Sequence, residues 1–417
     1  MAELKYFKSF NTLNEYETYI NDEPILPNVS FVGENQDVYY QNIIQYKDIY
    51  LTAKVTSNGN MLISPKDNLY YKLNDNEWTN LTGGTSIELS VEVGDKIQFK
   101  GNNLSYNNYK LFNTTTCQFK LEGNIMSLIY GDDFIDKTTL TGSNNFNGLF
   151  SECIGLIYAK NLILPSTTLA DYCYSNMFNG CTSLVNAPEL PATTLAAYCY
   201  SYMFCGCTSL VNAPSLPATT LKDSCYFSMF AGCTSLINAP ELLHVNRLAL
   251  NCYAWMFYDC TSLINAPELS GIGAQGCCLG MFSNCTSLET APKLLSSLTV
   301  ECYPEMFAGC TSLVNAPELP ATTLARGCYS GMFRDCTSLV NAPELPATTL
   351  AENCYSYMFY GCSNLNYIRC LATNISATNC TENWVNGVAS SGTFVKASSA
   401  DWSEKTGSDG IPSGWQV

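Results

Sequence analysis

Charge is scarce in this chain. Only 13% of its 417 residues are Asp, Glu, Lys or Arg, about half the usual share, and Asn, Ser and Thr fill the surface instead. The balance is acidic, with a formal net charge of −16. Nucleic acid and anionic membrane would both repel such a chain, so neither is an expected partner. Histidine occurs once, at His244, and no spacing offers it a paired nucleophile. There is no Gly-rich phosphate loop, and no CxxC pair that would suit zinc, so no catalytic group, cofactor or metal is expected. No apolar run approaches ~20 residues, which argues against membrane insertion. Met1 to Asn21 lack a basic segment followed by an apolar core and a small-residue cleavage site, so no secretory signal is read there. What the chain does have is a hydrophobic share of 47%, which excludes wholesale disorder.

It also has a repeat. The stretch Cys199-Tyr-Ser-Tyr-Met-Phe-Cys-Gly-Cys-Thr-Ser-Leu210 reads C-Y-x-x-M-F-x-x-C-T-S-L, continues N-A-P-x-L-P-A-T-T-L, and begins again at Cys225. Its phenylalanine falls at Phe178, Phe204, Phe230, Phe257, Phe282, Phe307, Phe333 and Phe359, at spacings of 25 to 27 residues. A degenerate copy precedes them at Leu149-Phe150. A period this regular means stacked units, none of which buries its apolar faces alone. Within a unit, Leu184, Ala187 and Leu190 lie in a short extended segment, because Pro188 and Pro191 forbid a helix. From Thr193 to Phe204 the apolar residues Leu195, Cys199 and Met203 are four apart, which predicts a compact helical stretch with one inward face.

Seventeen of the 22 cysteines occupy two slots of this unit, five before and three after the phenylalanine. On a helical stretch the two slots are roughly 12 Å apart, too far for a bridge. A ladder of buried free thiols is therefore expected, and disulfides between neighbouring repeats are the alternative.

The array occupies roughly residues 141–370. Before it, residues 1–45 read as an attachment segment: Leu13, Tyr16, Tyr19 and Ile20 have helical spacing, and Val29–Val32 with Val38–Tyr40 read as a hairpin. Residues 46–140 read as a small β-sandwich and lead-in, with strands at Tyr50–Val55, Leu69–Leu73, Glu77–Asn80, Ser86–Val91 and Lys96–Lys100 and a turn at Asn58-Gly59. Trp78 and nearby tyrosines either stack on a sugar or pack a small core. After the array, residues 371–417 form a C-terminal cap, with Trp384 and Val385 in the Met and Phe slots, a final strand at Thr393–Val395, and Trp402 and Trp415 over the end.

The pattern L-x-x-A-P-x-L-P-x-x-x-L followed by C-Y-x-x-M-F-x-x-C resembles the BspA-like (Treponema-type) leucine-rich repeat over about 230 residues. The departures are a longer period, Ala-Pro in place of a β-branched strand residue, and Met for the Ala before Phe. The resemblance implies a mostly β leucine-rich-repeat solenoid with short helical turns, and a non-catalytic adhesion or recognition protein of gut anaerobes, trichomonads or their phages. Leu26–Val32 and Asp37–Tyr40 resemble leaders of phage structural proteins. A virion location follows from this, with other virion proteins as partners of the N-terminal segment; the alternative is a bacterial cell-surface or extracellular adhesin.

The expected site lies where the unit varies. Tyr202, Phe227, Trp255, Tyr258, Tyr357 and Tyr360, with Arg334, would line one flank and bind a host surface glycan or protein; packing between repeats is the alternative. Trp255 and Tyr258, three residues apart, would share a helical face and form one ring platform. The once-per-repeat carboxylates Glu189, Glu241, Glu268, Glu318 and Glu344 read as a solvated row, since calcium needs clustered ligands. An enzyme reading would place a carbohydrate-active site in the β domain, on a carboxylate pair that spacing does not reveal.

Overall fold

The computed structural model describes residues 31–32, 38–39 and 49–417, apart from 82–83, 104–105, 141 and 296–297. The helix expected over Leu13–Ile20 lies outside the described residues. The architecture is strand and turn with very little helix. In the N-terminal segment β1 (Phe31–Val32) and β2 (Val38–Tyr39) pair antiparallel, Phe31 opposite Tyr39.

Residues 51–124 carry β3 (Leu51–Val55), β4 (Gly59–Ile63), β5 (Leu69–Leu73), β6 (Thr79–Asn80), β7 (Ile87–Val91), β8 (Lys96–Gly101), β9 (Phe112–Thr115) and β10 (Phe119–Asn124). Two sheets result, one ordered β11-β10-β3-β8-β5-β6, with β11 at Leu156–Ile163, and one ordered β7-β4-β9. Period-two alternation decides which side faces in: Leu51, Ala53 and Val55 of β3 and Ile97 and Phe99 of β8 are buried, while Lys54 and Lys96 are exposed. The sheets meet through Phe112, whose ring lies 5.7 Å from Phe99 and 5.0 Å from Phe119. The chain then turns through α1 (Ser127–Tyr130), where Ser127 Oγ accepts from Leu51 N and donates to Phe99 O.

The boundary expected at residue 140 is not a break in the sheet. β11 (Leu156–Ile163) comes from the first repeat and pairs parallel with β10 as the edge of the six-stranded sheet. The ring of Phe112 stacks on Phe150 at 6.1 Å, so one core runs from the sheets into the array. β11 forms where the repeat has no proline. In later copies, Ala-Pro and Leu-Pro remove backbone donors, and the equivalent segments make only single parallel bridges, such as Asn186 to Asn212 to Asn238. A strand returns at β12 (Tyr367–Cys370), again free of proline, and pairs parallel with β13 (Thr393–Lys396).

The repeat phenylalanines form one buried column. Successive rings from Phe178 to Phe359 lie 5.4 to 5.8 Å apart and nearly parallel. A second column, Tyr174, Tyr200, Tyr226 and Tyr253, runs beside it, is interrupted at Cys278, and resumes through Tyr303, Tyr329 and Tyr355. Both end on Trp384, against which Trp402 stacks at 5.8 Å.

The helical stretch expected at Thr193–Phe204 is absent. In its place the chain makes successive tight turns. Ser201, Met203, Cys205 and Cys207 each donate N–H three residues back, whereas Tyr200, Tyr202, Phe204 and Gly206 donate across to Cys225, Phe227, Met229 and Ala231 of the next repeat. An α-helix satisfies its donors internally; here half of them tie one repeat to the next. The geometry needs a left-handed residue every fourth position, as at Tyr198, Tyr202 and Gly206. The third of these positions, two residues after the phenylalanine, holds only Gly, Asn or Asp from Gly180 to Gly387. Those residues tolerate positive φ best.

The 22 cysteines are free, and all but Cys205 are buried. The thiol three residues after each phenylalanine donates to the carbonyl of the preceding repeat's phenylalanine, as Cys207 does to Phe178 at 3.1 Å. In the other slot, Cys277 and Cys302 bring their sulfurs to 3.4 Å. Burial pushes the thiols three residues after each phenylalanine up, Cys362 to about 12, which keeps them protonated and unreactive.

Candidate binding face of the repeat array

The left-handed positions shape the flank. A residue at such a position sends its side chain over the same position of the following repeat. Where that next residue is Gly there is room: a Cβ on Gly280 would overlap the Trp255 ring, and one on Gly361 would overlap Asp335. Where it is aromatic, the two rings stack. Tyr172 and Tyr198, both in the left-handed region, lie face to face with centroids 4.8 Å apart and planes within 2°. Non-Gly bulky residues rarely adopt this conformation. The lateral hydrogen bonds on both sides over-determine it here.

The expected site residues fall into separate patches. Tyr202 is 37% exposed, sits at φ 56° and packs its ring against Phe227 at 5.3 Å. Burial of the rest of its ring pushes the Tyr202 phenol up. Trp255 and Tyr258 are half-buried in the following repeat, 5.4 Å apart and nearly perpendicular. Their meeting is edge-to-face, not the flat platform expected from a helix, because Trp255 is left-handed and its indole lies across Gly280. Tyr357 and Tyr360, each 36% exposed, form a third pair at 5.9 Å near the cap, where Asn383 donates to the Tyr357 hydroxyl. Between these patches stand Gly280, Glu305 and Gly331. Arg334 belongs to that stretch and faces Glu305 at 3.4 Å and Asp335 at 3.8 Å. The structure therefore brings Tyr202, Phe227, Trp255 and Tyr258 onto adjacent repeats and sets Tyr357, Tyr360 and Arg334 apart.

Sequence reasoning passed over Tyr172 and Tyr198, whose exposed rings make the flattest stack on the flank. The available signal was the four-residue recurrence of Gly, Asn and Asp, which marks the position six before the phenylalanine as outward-facing.

His244 is exposed, and so are Glu189, Glu241, Glu268, Glu318 and Glu344, of which Glu344 pairs with Arg369 at 3.3 Å. Among the described residues no three His, Cys, Asp or Glu side chains could hold a metal ion. The proline-bearing side carries open depressions, one of about 360 Å³ lined by Pro317, Pro320, Pro343 and Pro346. Trp78 is half-buried, edge-on to Tyr50 at 5.1 Å. Tyr50 donates to Asp132 at 2.7 Å, and burial, aided by that bond, pushes its phenol up to about 12. Hydrogen bonds from Lys100 and Tyr50 hold Asp132 below the usual carboxylate range.

No family model and no curated protein matches this chain. Among solved structures it is similar to a leucine-rich repeat protein from Bacteroides ovatus ATCC 8483, at 17% identity and a TM-score of 0.25, over 68% of this chain and 86% of that one.

Proposed function

We propose that this is a non-catalytic recognition protein whose array is one continuous leucine-rich-repeat solenoid, preceded by an all-β unit that shares its core. Its ligand is a glycan or protein on a host cell surface, bound by the aromatic flank. The observation that carries the reading is the Tyr172–Tyr198 stack beside Tyr202 and Phe227. Four rings are held partly exposed, three of them (Tyr172, Tyr198 and Tyr202) in a backbone conformation that disfavours them. Burial alone would have been served by ordinary backbone, so their exposure calls for a ligand. Flat ring faces suit the C–H face of a pyranose or an apolar side chain.

The location proposed is a phage virion, as a tail, fibre or decorating protein held through residues 1–45. The leader-like sequence Leu26–Val32 supports it. The bacterial surface adhesin is the second reading, supported by the repeat pattern itself. Mass spectrometry of purified virions against bacterial outer membranes separates the two.

The binding test is the pair Tyr198→Ser and Tyr202→Ser. Anchors of this kind cost at least ~2 kcal/mol when truncated, about thirtyfold in affinity. Attachment of the purified protein to host cells should fall by that factor with little change in melting temperature. Unchanged attachment by a folded double variant would remove the flank from the site. Release of sugar from host polysaccharide by the wild-type chain would show a carbohydrate-active enzyme instead.

A further inference from the structure

The chain is acidic, but its charge is segregated. On the six-stranded sheet, directly paired residues share a face. Lys54 of β3 lies opposite Lys96 of β8 on one side and Lys120 of β10 on the other. All three are exposed. On the same outward face Lys72 pairs with Gln98, and Lys100 with Tyr70. The heads of Lys72 and Lys100 sit over the Trp78 ring at 5.4 and 4.6 Å, and Lys120 sits over Tyr158 at 5.3 Å. Carboxylates near this face include Glu122, opposite Thr52, Asp132, which is bonded to Lys100 and Tyr50, and Asp95 and Glu77, which directly precede Lys96 and Trp78. Among the described residues no ion pair reaches Lys54, Lys72, Lys96 or Lys120. The other sheet has no lysine in any strand: β4, β7 and β9 read GNMLI, IELSV and FNTT.

Like charges directly opposite one another destabilise a sheet, and no ion pair among the described residues offsets Lys96, Lys54 and Lys120. An anionic partner would. We propose that the outer face of the six-stranded sheet is a second binding surface, independent of the aromatic flank, and that its ligand is a carboxylated polysaccharide. Three lysines on neighbouring strands span two strand spacings, about 10 Å. A polymer with one carboxylate per sugar spaces its charges comparably, and Trp78 and Tyr158 hold ammonium groups in place for it by cation–π contact. Nucleic acid fits less well. Duplex DNA carries a charge every ~1.7 Å, far more than five lysines neutralise, and the excess would face the acidic array.

The test uses the full chain and polygalacturonate, read by affinity electrophoresis and titration at low and moderate salt. Binding should weaken as salt rises, and neutral dextran should not bind. The triple variant Lys54→Gln/Lys96→Gln/Lys120→Gln should lose roughly tenfold or more in affinity. It should stay folded, since all three side chains are exposed, and Lys222→Gln, at an exposed lysine of the array, should bind polygalacturonate as wild type does. Undiminished binding by the lysine variant would overturn the proposal. So would tighter binding to single-stranded oligothymidylate than to polygalacturonate of equal charge. Salt-sensitive self-association that the triple variant abolishes would overturn it in favour of a second copy of this chain, whose exposed Glu row would then be the occupant.

Discussion

The two sheets of residues 51–124 and the repeat array satisfy the same backbone by opposite routes. In the sheets, strands far apart in sequence pair antiparallel, and alternation turns Leu51, Ala53 and Val55 of β3 inward and Lys54 outward, with Thr52 covered on the Lys54 face. In the turn segments of the array, donors bond either three positions back or about 25 positions on, to the residue before their equivalent in the next repeat. The sheets can therefore use any β-forming residue at most positions. The array demands left-handed backbone at fixed intervals and identical rings at fixed heights. Freedom of sequence in one region and repetition in the other both follow from where the hydrogen bonds go.

The largest expected effect comes from breaking the ring column. Phe257→Ala removes a fully buried ring stacked on both sides and should cost about 3–5 kcal/mol. Hydrogen exchange should show lost protection around Phe230 to Phe282, with β3 and β8 still protected. Equal loss in β3 and β8 would show that the two regions unfold as one and would break the comparison.

Alkaline pH should separate the regions next. The buried thiols and phenols of the array, such as Cys233 and Tyr226, have folded pKa values raised well above 9.0 and 10.0 by burial. Below those values both states hold the proton and the stability is fully present. Above them only the unfolded state releases it, so stability falls as pH rises, by about 1.4 kcal/mol per pH unit for each such group. Circular dichroism should show array unfolding that begins above pH 9 and steepens through 10. A flat profile to pH 11 would contradict the burial of these groups.

A single left-handed position gives a smaller and sharper test. Gly206 has φ 71° and room for a Cβ, whose nearest neighbour would be Gly180 at 3.6 Å. Gly206→Val should therefore cost about 1–2 kcal/mol through backbone alone, while Gly206→Asn should be nearly neutral, as Asn284 is in the equivalent place. Gly280→Ala differs, because it meets the Trp255 ring. Its cost should shrink in a Trp255→Gly background, a coupling readable in a double-mutant cycle. In the sheets the smallest effect has the opposite sign: Lys54→Gln should stabilise by a few tenths of a kcal/mol, on the scale of cross-strand pairs, measured by denaturant titration.

Much of this was legible from residues alone. β5 and the strands at 51–55, 87–91 and 96–101 fall where alternation puts them, and the final strand falls at Thr393–Lys396, over the Thr393–Val395 expected. The extended segments were legible from Pro188 and Pro191. The helix expected at Thr193–Phe204 was not found, because a four-residue recurrence of apolar side chains fits both a helix and a run of tight turns. The Gly, Asn and Asp positions discriminate between the two. Of the candidate site, the sequence marked Tyr202, Phe227, Trp255 and Tyr258 by their variability but could not see which rings would touch. Tyr172 and Tyr198 escaped because their slot was not recognised as outward-facing.

By itself the sequence determined the period, the buried slots and the exposed Glu row, since each depends on side-chain chemistry repeated at a fixed interval. The tertiary structure decided what depends on contacts between units. The lateral hydrogen bonds select left-handed turns over helix. The first proline-free repeat segment joins the β10 edge as β11. The Trp255 indole folds over Gly280. Five lysines scattered between residues 54 and 120 gather on one face because antiparallel pairing, which no local pattern encodes, sets Lys96, Lys54 and Lys120 side by side.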